Sequence, residues 1–149
     1  MTRSTSSRAE ELALKVMLPV LIGLYRLSGG RLAGSMNGTS IMLLTTTGRR
    51  SGQRRTVPVS YLASNSTYIV AATNGGRDTQ PGWYHNVRTQ PQVTIQVKDR
   101  TMTAVAEIVD PQTRDELWAR LVTSAPQIYQ GLQARTTRTF PIVIFRPTP

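Results

Sequence analysis

The sequence predicts a mainly β, α+β domain: about six mostly antiparallel strands closed into a small barrel, with an N-terminal helix and two or three covering helices. Three observations carry this expectation. Beyond residue 41, short stretches rich in β-branched residues recur between clusters of Gly, Ser and Asn. The helical stretches between them are few and short. At 149 residues, with 39% apolar side chains spread along the chain, one core can be buried and a disordered chain is not expected.

Residues 1–8, MTRSTSSR, read as a polar, mobile tail. AEELALKVMLPVLIGLYRLSGG then reads as a helix, with Glu10 and Glu11 near its positive end and Gly29-Gly30 closing it. Pro19 is expected to kink or interrupt it. The central run Val16 to Tyr25 is shorter than the ~20 residues a bilayer span needs. The acidic pair and the lack of a small-x-small cleavage site argue against a signal peptide. Two readings of this segment stand: a helix packed on the domain, or an amphipathic helix resting on a membrane with Arg26 and Arg31 meeting lipid phosphates.

IMLLTTT (41–47), TVPVSYL (56–62) and TYIVAAT (67–73) follow as strands. QVTIQV (92–97) and MTAVAEIV (102–109) alternate polar and apolar residues, with Lys98-Asp99-Arg100 as their turn, and PIVIFRP (141–147) is the last strand. A short helix is expected at about Trp83 to Thr89, after Pro81-Gly82. A longer one starts at Asp110-Pro111, an N-cap followed by proline at the first helical position. Pro126 ends it, and QIYQGLQAR reads as a further helix. The expected division is residues 1–40, tail plus helix, and 41–149, the barrel.

Composition narrows the chemistry. Lys+Arg 18 against Asp+Glu 8 gives +10, which favours an anionic partner without naming one. The absence of cysteine excludes disulfides, thiolate catalysis and Cys-ligated metals, and His85 is the only histidine. The eight acids are scattered, with no pair that suggests carboxylate chemistry. No metal site is expected. An enzyme built this way needs a cofactor to carry the reactivity.

The stretch TTTGRRSGQRRTVP, residues 45–58, places four arginines within seven residues between two strands. One reading is a soluble hairpin tip, with arginine blocking edge pairing and glycine supplying positive φ. The other is an anion pocket. Thr45, Thr46, Thr47 and Thr56 bring hydroxyls, Gly48 and Gly52 allow close backbone approach, and arginine forks suit phosphate and carboxylate. Nucleic acid fits less well, because aromatics are 6% of the chain and none lies in the arginine loop. In a second stretch, AATNGGRDTQPGWYHN (71–86), small residues end a strand, a glycine pair turns the chain, and Pro-Gly opens an aromatic helix. Small residues beside an indole and a phenol suit a planar ring, although Trp83 and Tyr84 can equally pack on the barrel.

Together these segments resemble the deazaflavin-dependent nitroreductase family of actinobacterial-type oxidoreductases that use coenzyme F420. The resemblance runs through LLTTTGRRSGQRRTVPVSYL, YIVAATNGGRDTQPGWYHNVRTQPQVTIQV, LWARLVTSAPQIYQ and RTFPIVIF, roughly residues 41–145. It implies a split β-barrel that binds the 8-hydroxy-5-deazaflavin cofactor. Arg49, Arg50, Ser51 and Arg55 would hold its phosphate and acidic tail. Thr56, Val57, Pro58, Val59 and Ser60 would lie along the ribityl chain and ring, and Ala71, Ala72, Thr73 and Asn74 would meet the ring edge. Gly82, Trp83, Tyr84, His85 and Asn86 would close another side, with Tyr129 approaching from the late helix.

The activity implied is hydride transfer from the reduced cofactor to a quinone, nitro compound or activated alkene, with Ser60 and Tyr129 as proton-donor or substrate-contact candidates. Nitroreductase-type members carry tyrosine at the position of Ser60 and lysine at that of Asn74, so reduction of nitro prodrugs is not implied. The rival readings are an FMN-binding reductase on the same fold and a non-enzymatic binder of nucleic acid or anionic membrane. The expected location is cytoplasmic. A peripheral contact with the inner face of the membrane through the first helix, and a homodimer, stay open.

Overall fold

The computed structural model describes residues 5–149. Its elements are α1 (Thr5–Ser28), β1 (Ser35–Met36), β2 (Thr39–Thr47), β3 (Arg54–Ser64) and β4 (Thr67–Ala71). A single 3-10 turn at Asn74–Gly76 leads to α2 (Gly82–Thr89) and β5 (Gln92–Val97). β6 (Arg100–Ile108), α3 (Pro111–Ser124), α4 (Pro126–Gln133) and β7 (Ile142–Pro147) complete the chain. The sheet order is β1-β2-β3-β4-β7-β6-β5, every pairing is antiparallel, and β2 also pairs with β5. That last pairing closes β2–β7 into a six-stranded barrel, the small antiparallel barrel expected from the strand pattern and the split-barrel α+β architecture implied by the resemblance.

Period-2 alternation explains how one barrel serves two sides. Met42 and Leu44 of β2, Val70 of β4, Ile95 of β5, and Val143 and Phe145 of β7 fill the interior together with Trp83 and Val87 of α2. Residues one step out of phase face outward. Ile69, Ala71 and Ile142 lie under Leu117 and Leu121 of α3 and Tyr129 of α4. Ile41 and Leu43 lie under Tyr25 of α1.

Local signals set the helix ends. Asp110 caps α3 by accepting from the Thr113 N–H at 2.9 Å, and Pro111 and Pro126 occupy first-turn positions of α3 and α4. Those two N–H donors would have had no partner in the helix in any case.

Four details differ from the sequence expectations. Residues 5–8, read as tail, already belong to α1, while residues 1–4 of that tail lie outside the described residues. The helix runs through Pro19, because the exposed surroundings let water satisfy the carbonyl freed by the missing N–H. The two-residue β1 is too short for any periodicity to reveal. The β5–β6 turn is confined to Lys98-Asp99, since Arg100 pairs with Val97 and Lys98 takes the positive φ of 57°.

α1 is fastened at one end only. The Tyr25 hydroxyl accepts from the Lys98 N–H at 2.8 Å and donates to the Gln96 carbonyl at 3.2 Å. Gly30, at φ +78°, lies so close that an added Cβ would sit 2.7 Å from Lys98 Cα. Residues 8–20 are exposed throughout, with Leu12 at 63% and Val16 at 69%. Among the described residues, no helix is long and apolar enough to cross a membrane.

Candidate active site

β3 pairs with β2 along residues 54–61, but with β4 only at residues 62–64. Residues 55–60 therefore keep a free edge where the barrel wall opens. Pro58, which has no N–H to give, is tolerated in a strand on such an edge. A cavity of about 490 Å³ fills the opening, a size usual for small-molecule sites. Arg55 and Val57 to Ser60 line it consecutively, because a free edge presents backbone and both side-chain faces. Ala71 and the turn Thr73 to Gly75 form the facing wall, and Gly82 and Trp83 close the floor where α2 begins. Ile128, Tyr129 and Leu132 of α4, and Leu18 of α1, complete the lining.

A single buried amide joins the two sequence stretches that carry the resemblance. Asn86, 7% exposed, donates from Nδ2 to Thr46 Oγ1 at 2.9 Å and accepts the Arg49 N–H at its Oδ1 at 3.1 Å. The arginine loop thereby hangs from α2, and Thr46 and Asn86 both line the cavity. The loop itself closes at Gly48, whose N–H donates to the Gln53 carbonyl at 2.7 Å, and Ser51 Oγ accepts from the Gln53 N–H at 3.2 Å. An added Cβ at Gly48 would sit 2.7 Å from Ser51 Oγ and 3.2 Å from the Gln53 carbonyl oxygen, so a side chain there would displace the Ser51 hydroxyl from the turn.

The arginines differ in their commitments. Arg54 donates to Thr94 Oγ1 at 2.7 Å, while Arg26 donates to Thr56 Oγ1 at 3.1 Å. The side chains of Arg49, Arg50 and Arg55 make no hydrogen bond or ion pair among the described residues. The two ion pairs there, Arg114–Asp115 and Arg146–Glu107, lie elsewhere. The field of the unpaired cations is felt at His85. Burial, then repulsion from Arg49, Arg88 and Arg50, holds its imidazole below the ordinary range.

The two proton-donor candidates are not equivalent. The Thr39 hydroxyl donates its one hydrogen to the Met36 carbonyl at 2.7 Å. Ser60 must then be the donor in its 2.9 Å contact with Thr39. Its proton is committed away from the cavity. Tyr129 is 3% exposed, stacks edge-to-face on Trp118 at 5.7 Å, and its hydroxyl has no hydrogen-bond partner among the described residues. Burial pushes its phenol above the ordinary value of 10.0, so it is protonated at neutral pH.

The structure brings together Arg55, Val57, Pro58, Val59, Ser60, Ala71, Thr73, Asn74, Gly82, Trp83, Asn86 and Tyr129 around this one cavity. The other candidates stand back from it. Arg49, Arg50 and Ser51 sit in the exposed loop beyond Arg55. Thr56 turns its hydroxyl to Thr45 at 2.7 Å. Ala72 is wholly buried in the barrel interior, and Tyr84 packs against that interior from outside. His85 faces the arginines rather than the lining.

Sequence reasoning missed Leu18, Ile128 and Leu132. Helical spacing around Tyr129 could have found Leu132, one turn on. No local signal marks Leu18, because only the path of α1 brings it over β3.

The model of the F420H(2)-dependent quinone reductase family matches residues 20–147. An F420H(2)-dependent quinone reductase of Mycobacterium tuberculosis is 33% identical over 124 residues, covering 81% of this chain and 83% of that protein. Among solved structures, an F420-H2 dependent reductase shares 34% identity at a TM-score of 0.63, over 71% of this chain and 93% of that one. A chain described as a domain-swapped dimer shares 27% identity at a TM-score of 0.66, over 96% of this chain and all of that one (100%).

Proposed function

The chain belongs to the F420H(2)-dependent quinone reductase family, and on that premise we propose that the cavity at the open edge of β3 holds the deazaflavin ring beside a quinone. The protein is an oxidoreductase whose cofactor is coenzyme F420. One observation carries the assignment of the site: a cavity of about 490 Å³, largely apolar along β3 and α4, opens beside three arginines that have no carboxylate partner among the described residues. That combination suits a flat ring attached to a polyanionic tail. Uncompensated cations are what a phosphate and a chain of carboxylates require.

When bound, the reduced cofactor supplies a hydride. The residues of this chain bind, orient and protonate. Arg55 holds the phosphate at the cavity mouth, with Arg49 and Arg50 reaching the carboxylates beyond it. Val57, Val59 and Trp83 present apolar faces to the ring, and Thr73 and Asn74 meet its edge. The quinone gains a hydride at one end and a proton at the other. Tyr129 donates that proton, being protonated, buried and otherwise unbonded. Ser60 acts on shape alone, since its proton is held by Thr39.

Fluorescence titration with the intact cofactor, and with the ring-and-ribityl fragment lacking phosphate and tail, tests the assignment. Saturable binding of both, tighter for the intact form, is expected. Absence of binding for either would sink it. A panel of quinones, nitro compounds and enones then ranks acceptors, with quinones expected first.

For assembly, a second copy of this chain is the occupant that fits α1. The helix is fastened only at its last turn, its exposed residues are apolar on several faces, and the relative matched over 96% of this chain is described as a domain-swapped dimer. Sedimentation equilibrium of the full chain should give a dimer that Leu12→Glu with Val16→Glu converts to monomer. A monomeric parent that pellets with anionic vesicles would assign the helix to a membrane surface instead.

A further inference from the structure

Behind the wall of the cavity formed by residues 73–75 lies a cation that the proposed chemistry does not use. The guanidinium of Arg138 donates to four acceptors of the segment between β4 and α2. Its Nε reaches the Arg77 carbonyl at 3.1 Å, and one terminal nitrogen reaches the Ala72 carbonyl at 3.2 Å and Gln80 Oε1 at 2.6 Å. The other reaches the Thr73 carbonyl at 3.0 Å. Its Cζ lies 4.9 Å from the Phe140 ring centroid, over the face of the ring.

The neighbouring residues extend the same contact. Arg135 donates to the Gly75 carbonyl at 3.1 Å and Thr136 to Asp78 Oδ1 at 2.6 Å. Gly76 is packed so closely that an added Cβ would sit 2.9 Å from the Leu132 carbonyl oxygen. The segment so held lies in the left-handed region, at a cost for Asn74 but not for the glycines. Asn74, Gly75 and Gly76 have consecutive positive φ values of 49°, 65° and 78°. Backbone in that region persists where surrounding contacts over-determine it.

We propose that Arg138 is a positioning residue for the ring-side wall of the cleft, setting the peptide planes of residues 72–74 so that the Asn74 N–H is offered to an acceptor on the ligand. The argument is geometric and rests on reading the cavity as the deazaflavin site. In a trans peptide the C=O and the following N–H point in opposite directions. With the Thr73 carbonyl shared between Arg138 and the Gly76 N–H, which donates to it at 2.9 Å, the Asn74 N–H is turned away from both, and among the described residues it finds no acceptor. A cation hydrogen-bonded to that carbonyl also strengthens the N–H as a donor. Lysine has the charge but lacks the planar fork that spans four acceptors. The site therefore needs arginine for its shape as well as its sign.

The test compares Arg138→Ala and Arg138→Lys with Arg55→Gln, all in the full chain. Amide hydrogen exchange of the ligand-free proteins reads the wall directly. The hydrogen-bonded amides of Thr73 and Gly76 should exchange at least 10-fold faster in both Arg138 variants, with the barrel strands unchanged. Equilibrium fluorescence titration then separates positioning from general weakening. Both Arg138 variants should lose about 10-fold or more in affinity for the tailless ring fragment and by the same factor for the intact cofactor. Arg55→Gln should weaken only the intact cofactor.

Ring-fragment affinity within two-fold of the parent in Arg138→Lys, or exchange of the Thr73 and Gly76 amides unchanged, would overturn the proposal, and Arg138→Lys supplies the measurement if the alanine variant fails to fold. A parent that binds neither ligand refutes the deazaflavin reading instead, and the exchange arm still decides whether Arg138 holds the wall.

Discussion

Replacing Asn86 with alanine removes the one side chain that ties the arginine loop to α2. On the Thr46 side, a hydroxyl that is 1% exposed loses its donor. Losing a hydrogen bond at a buried partner costs about 1–3 kcal/mol, and about 2 kcal/mol is reasonable here. On the other side, Arg49 is exposed, so water recovers its N–H and the loss is about 1 kcal/mol. The sum, about 3 kcal/mol, lowers Tm by roughly 6–12 °C for a chain of this length. Differential scanning calorimetry measures it. A double-mutant cycle with Thr46→Val should recover a coupling of about 1 kcal/mol, since both substitutions delete the same bond. The untied loop should also bind the intact cofactor about 10-fold more weakly while the tailless fragment is much less affected. A variant whose Tm stays within about 2 °C of the parent, together with an additive cycle, would refute the reasoning.

Other consequences are direct. Tyr129→Phe should lower kcat for quinone reduction by ~10²-fold or more with KM little changed, whereas Ser60→Ala should leave kcat within about three-fold; stopped-flow oxidation of the reduced cofactor reads both, and the reverse ranking would transfer the proton donor to Ser60. Arg49→Gln should raise the His85 pKa toward 6.5, because it removes a repelling cation, and the single histidine gives one unambiguous imidazole NMR titration. Since the folded-state pKa of His85 is lowered, the unfolded chain binds its proton more tightly. Stability from this group is then full above 6.5 and lost as pH falls through the interval down to the lowered value; an apparent pKa unchanged in Arg49→Gln would remove the arginines as its cause. Tyr25→Phe strands the Lys98 N–H and the Gln96 carbonyl, so it should cost about 1–3 kcal/mol and loosen α1, read as faster amide exchange at residues 25–30; no change in either would show that α1 is held by apolar contact alone.

Much of this protein was legible along the chain because its signals are local. Six strands follow from period-2 alternation and β-branched composition, and α3 and α4 from an Asp-Pro cap and a second proline. The arginine excess with glycines pointed to an anion through residue chemistry alone, and the lone histidine and absent cysteines limited catalysis to a bound cofactor. What the tertiary structure decided depends on which strands fail to pair and on which groups share a proton. β3 leaves β4 after three pairs, and only that divergence turns the consecutive residues Val57 to Ser60 into a cavity wall. Ser60 and Tyr129 are equal candidates as letters. A hydrogen bond to Thr39 and burial against Trp118 separate them. Asn86 and Arg138 act across 37 to 66 positions of sequence, where no periodicity reaches. Local sequence specifies backbone conformation and charge, whereas the partner of each polar group is known only once the strands have closed.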